Sequence, residues 1–72
     1  MKRRNAEEVL EIMIKLLILY IEELKEYKNV DGQEFEYGER VAYTECLEWI
    51  QMWKCAEVNG LDFDVEARYP LD

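Results

Sequence analysis

Carboxylates are the commonest reactive groups in these 72 residues, with 17 Asp and Glu against 9 Lys and Arg, two Cys and no His. Glu22, Glu23 and Glu26 stand together in the first half of the chain, and Glu45 and Glu48 in the second. Residues three and four apart share a helix face, so carboxylates at these spacings can gather around Mg²⁺ and the phosphates it carries. The cysteines offer less. Cys46 and Cys55 are nine apart in one predicted helix, which separates them by about 13.5 Å of rise and turns them to opposite faces. That geometry excludes an intrachain disulfide. Zinc sites need Cys and His clustered at short spacing, di-iron bundles need Glu-x-x-His, and a nucleophilic thiol needs a base. The chain has no His to supply any of them. Asp62-x-Asp64-x-Glu66 alternates carboxylates, but a calcium loop of the EF-hand type requires Gly at its sixth position, where Ala67 stands. Asp62 or Asp64 reads instead as the cap of a short helical turn.

Glu22-Glu23-x-x-Glu26 followed by Glu45-x-x-Glu48 resembles the Glu-Glu-x-x-Glu and Glu-x-x-Asp pair of the all-α nucleotide pyrophosphohydrolases, with Glu48 standing where that family has Asp. The resemblance implies a Mg²⁺-dependent enzyme built from dimerising hairpins, with Glu22, Glu23, Glu26, Glu45 and Glu48 as ligands. Against it, Glu7-Glu8-x-x-Glu11 repeats the same triplet, and Glu22 and Glu26 fall on the solvated strip of their helix. The expectation is therefore a chain with no catalytic residue, no metal and no cofactor.

The element that must position everything else is the first helix, expected over about 6–28. Asn5 and Glu8 are spaced as a capping box, and Glu7 and Glu8 suit the positive end of the helix dipole. Nine of the ten residues from Ile12 to Ile21 are apolar. On a helical projection the apolar arc is roughly 220° wide, more than twice what one core requires. Glu11, Lys15, Glu22 and Glu23 interrupt it, so the run is too short and too charged to cross a membrane. The same acids, and the lack of a cleavage site, argue against a signal peptide despite Lys2-Arg3-Arg4.

A second helix is expected over about 36–59, with an apolar stripe of Ala42, Cys46, Trp49, Ile50 and Trp53, flanked by Tyr43, Leu47 and Ala56. Arg40, Thr44, Glu48 and Gln51 form its outer face. Gly60 should close it in the left-handed conformation, with Leu61 folding back. Asn29-Val30-Asp31-Gly32 reads as the connecting turn. The tail, 61–72, carries Leu61, Phe63, Val65 and Tyr69 to dock on the hairpin and ends its turn at Tyr69-Pro70. Tyr37–Gln51 resembles the second helix of short uncharacterised helical-hairpin proteins from Gram-positive bacteria and their phages. That resemblance covers about half the chain and implies no known activity.

The fold expected is thus all-α: one domain over 1–72, a two-helix antiparallel hairpin with a short C-terminal turn. A chain this small gains little core on its own. Both that and the wide arc point to a homodimer forming a four-helix bundle. Its interface is expected at Ile12, Met13, Leu16, Leu17, Leu19, Tyr20 and Leu24, with Trp49, Met52 and Trp53 as candidate partner contacts. Three of the nine basic side chains lie in the first four residues, leaving residues 5–72 with a net charge of −11. Such a surface repels phosphate backbones, so direct nucleic-acid binding is not expected. Free thiols point to the cytoplasm. The function expected is a non-enzymatic interaction module or small regulator; the alternative is an acidic, nucleic-acid-mimicking inhibitor of a basic protein.

Overall fold

The computed structural model describes residues 2–71, in which all regular structure is helical. Helix α1 spans Ala6–Leu24 and α2 spans Glu34–Gln51; a 3-10 turn at Glu57–Asn59 and a single turn, α3, at Val65–Arg68 follow. Contacts between Glu7 and Asn59, Tyr20 and Tyr43, and Tyr27 and Arg40 run in opposite order along the two halves. The hairpin is antiparallel.

The start of α1 is a closed capping box. The Glu8 amide donates to the Asn5 side chain at 2.8 Å, and the Asn5 amide donates to the Glu8 carboxylate at 3.1 Å. The helix stops at Leu24, four residues before the expected Lys28. The groups that would continue it are engaged elsewhere. The Tyr27 amide bonds the Leu24 carbonyl in a tighter turn, the Tyr27 carbonyl accepts from Arg40, and the Lys28 amide donates to Gln33 Oε1 at 2.8 Å. Gly32 supplies the left-handed residue of the connection, at φ 90°. The Glu34 carboxylate then accepts from the Gly32 and Gln33 amides, so α2 begins at Glu34, two residues earlier than expected.

Helix α2 also ends early, at Gln51 rather than Asn59. From there the amides of Met52, Trp53 and Ala56 bond the carbonyls three residues back, at 2.9 to 3.2 Å. This tightening turns Ala56, Asn59 and Leu61 inward, where all three are buried. Gly60 closes the segment as expected, at φ 109°, with the Leu61 amide bonded to the Ala56 carbonyl and the Gly60 amide to that of Glu57. Those two bonds form the paired Schellman closure that a left-handed residue permits. Asp64, one of the two expected caps, accepts from the Glu66 amide and starts α3.

The core comprises Ile14, Leu17 and Ile21 of α1, Leu47 and Ile50 of α2, and Ala56, Leu61, Val65 and Tyr69 beyond it. Helix α2 is rotated relative to its expected orientation. Arg40 and Thr44, assigned to the outer face, are buried, while Ala42, Cys46 and Trp49 of the expected core stripe are exposed. The polar pair can be buried because each finds backbone oxygen. Arg40 donates to the Tyr27 and Pro70 carbonyls, both at 2.8 Å, and Thr44 donates to the Arg40 carbonyl at 2.7 Å.

The tail crosses one face of the hairpin. The Val65 amide donates to Gln51 of α2, and the Tyr69 hydroxyl donates to Glu22 of α1. Nothing among the described residues crosses the opposite face. The Cα envelope measures 41 × 30 × 15 Å, and its radius of gyration is 13.3 Å against about 11 Å for a compact chain of this length.

Candidate interaction surface

The face left bare by the tail is apolar. Val9, Ile12, Met13, Leu16, Leu19 and Tyr20 of α1 retain between 37% and 51% of their surface, although the core lies directly behind them. Their spacing of three and four residues makes one stripe along the helix. The Tyr20 and Tyr43 rings meet at 5.4 Å and carry the stripe across to α2. There, by helical phase, Cys46, Ala42, Trp49 and Phe35 continue it around the exposed flank. Trp49 is 73% exposed and Met52 76% exposed, unusual for large apolar side chains.

Among the expected interface positions, Ile12, Met13, Leu16, Leu19 and Tyr20 lie on this bare face, and Leu24 is half-buried. Leu17 is not available to a partner, because it is 8% exposed within the core of its own chain. Its 100° offset from Leu16 directs it toward α2. Among the expected partner contacts, Trp49 and Met52 are exposed, while Trp53 packs half-buried against the core because the break after Gln51 turns it inward. Sequence reasoning missed Val9, Phe35 and Val58, all exposed. Two of them had a signal: Val9 is one heptad before Leu16, and Phe35, Ala42 and Trp49 are seven apart.

The five carboxylates that the pyrophosphohydrolase resemblance implies as Mg²⁺ ligands are not brought together. Glu22 is engaged by Lys25 at 2.9 Å and by the Tyr69 hydroxyl at 2.6 Å, under the tail. Glu23, Glu26 and Glu45 are exposed, and Glu48 is half-buried beside Glu66 in a cleft with Thr44, Tyr69 and Pro70. Among the described residues, no group of three or more acidic or Cys side chains is arranged to hold a metal ion. Cys46, expected on the core stripe, is exposed; Cys55 is half-buried, and both are free thiols. No helix of the described residues is long and apolar enough to cross a membrane.

The tail side has the marked electrostatics. Burial, then the hydrogen bond to Glu22, pushes the Tyr69 phenol up to about 12. The Glu22 carboxyl is lowered, first by accepting from Tyr69 and then by Lys25. The bond is thus intact between the two titrations. Its contribution fades below the usual Glu range near pH 4.5, as Glu22 protonates, and again as the pH rises through about 12. Tyr69→Phe should cost about 1–2 kcal/mol in urea unfolding at pH 7, with the difference from wild type shrinking as the solution is acidified below pH 4. An undiminished difference at pH 3 would mean the loss is packing and not the bond.

Glu48 behaves oppositely. Burial raises its carboxyl, and Glu66, Glu45 and Asp64 add to the shift. Its ionised form is disfavoured in the folded chain, so folding stability is lost as pH rises through its titration. Glu48→Gln should raise the unfolding midpoint at pH 7 by a few degrees, with no gain at pH 4. A gain equal at both pH values would locate the effect elsewhere.

Compared with family models, with curated proteins and with solved structures, the chain matches none. The geometry of the bare face therefore carries the functional argument by itself.

Proposed function

We propose that the chain is a non-enzymatic, cytoplasmic interaction module that acts as a homodimer, two hairpins joining through their bare faces into a four-helix bundle. The observation that carries this reading is the apolar stripe of α1, continued onto α2 and left uncovered by the tail. Domains are built from packed layers, and a hairpin covered on one face only has one layer too few. The area agrees. The chain exposes 5422 Å², against about 4,700 Å² for a compact monomer of 8.7 kDa. The excess of about 700 Å² is close to what each partner contributes to a standard interface, about 800 Å². Trp49 and Met52, away from the α1 stripe, would remain at the rim of the bundle for a further protein. Light scattering across a dilution series in reducing buffer tests the reading. Twice the chain mass at micromolar concentration supports it, and a folded monomer throughout overturns it.

A further inference from the structure

We propose that the two copies meet with their α1 helices antiparallel, crossing at Leu16, and that Lys2-Arg3-Arg4 of each copy closes on Glu23 and Glu26 of the other. The inference rests on the homodimer reading and adds to it the orientation, the register and the electrostatic contact that selects both.

The register comes from the spacing. Reflecting the stripe through Leu16 exchanges Met13 with Leu19, Ile12 with Tyr20 and Val9 with Glu23. An antiparallel helix crossing at Leu16 therefore sets each apolar residue of the stripe against another, until Val9 meets the aliphatic stem of Glu23. A two-fold interface needs this kind of self-complementary patch.

The orientation comes from charge. Lys2, Arg3 and Arg4 line an open groove together with Val9, so the basic lead-in lies at the N-terminal end of the apolar stripe. Glu23, at the other end, is exposed and shares the helical phase of Leu16, and Glu26 is exposed in the turn that follows α1. Neither takes part in the ion pairs Glu11–Lys15 and Glu22–Lys25 seen among the described residues. An antiparallel pair brings the net-positive end, Lys2, Arg3 and Arg4 against Glu7 and Glu8, to the net-negative end, Glu22, Glu23 and Glu26 against Lys25 and Lys28, twice. A parallel pair would stack Glu23 on Glu23 and one basic lead-in on the other, which like-charge repulsion opposes. For a body with a net charge of −11, this lead-in is also the one concentrated source of attraction between copies.

The test uses the full chain with Cys46→Ser and Cys55→Ser, to which Val9→Cys or Glu23→Cys is added. Both positions lie on the exposed face, so folding is preserved and helicity by circular dichroism checks it. When the two chains are mixed and oxidised, the disulfide-linked Val9→Cys/Glu23→Cys pair should exceed the Val9→Cys self-pair at least tenfold. A dominant self-pair overturns the antiparallel orientation. A monomeric mass before oxidation overturns the homodimer reading itself and is read separately. For the charge contact, Arg3→Glu with Arg4→Glu should raise the dimer Kd at least tenfold, and adding Glu23→Arg and Glu26→Arg to that chain should restore it to within threefold. Weakening without restoration would show that the lead-in acts on some other acidic site.

Discussion

Leu16→Asp should leave a folded monomer, whereas Leu17→Asp should leave no folded chain. The two positions are adjacent and chemically identical, yet Leu17 faces the core of its own chain and Leu16 is 42% exposed. At Leu17 the substitution removes a buried side chain, a loss of about 2–5 kcal/mol, and adds the desolvation of a carboxylate. A core of this size supplies only about 3–5 kcal/mol in total. At Leu16 the new carboxylate is solvated in the monomer, so its effect on monomer stability should stay within about 0.5 kcal/mol. In the dimer, the same change sets two carboxylates against each other at the crossing point, and association should weaken by more than a hundredfold. Circular dichroism and light scattering on both variants decide the matter. A Leu16→Asp chain that remains dimeric would move the interface off the α1 stripe.

Arg40→Ala should be the most damaging change to a charged residue. Its guanidinium donates to the Tyr27 carbonyl at the end of the first half and to the Pro70 carbonyl in the tail, and lies 5.7 Å from the Tyr37 ring. Removing it leaves two carbonyls without their donor and opens the junction of three segments. A loss of about 3 kcal/mol follows from bonds to a charged group of this kind. Arg40→Lys keeps the charge but cannot span both carbonyls with one planar fork, so about 1–2 kcal/mol should still be lost. Urea unfolding measures both. A cost below about 1 kcal/mol for the Ala variant would mean that water replaces the guanidinium without strain.

The all-helical hairpin, the capping box at Asn5, the left-handed Gly60, the Asp64 cap and most of the bare stripe were legible because each is written in neighbouring residues. The orientation of α2 was not. Helical phase alone treats Arg40 and Thr44 as solvent-facing, and the carbonyls that permit their burial belong to residues 13 and 30 positions away in the case of Arg40. Nor was the end of α2 legible. No Pro or Gly lies between Gln51 and Asn59 to mark the break, and the buried Asn59 beyond it bonds Glu7, 52 residues away, as well as the nearby Cys55 carbonyl. The resemblance to the pyrophosphohydrolases implies the five carboxylates as ligands only as an alternative, because sequence spacing fixes their faces within each helix. It does not fix how one helix is rotated against the other, and that rotation separates them.

The tail alters the kinetics of folding. A bare helical hairpin is a local structure and forms in microseconds. Here the contacts that complete the core span 47 residues between Glu22 and Tyr69 and 52 between Glu7 and Asn59. Closing such loops raises the entropic barrier, so the hairpin should assemble early and the docking of Tyr69 should come late. Unfolding retraces that order, and release of residues 61–71 from the hairpin is then the first opening that amide exchange or a protease would detect.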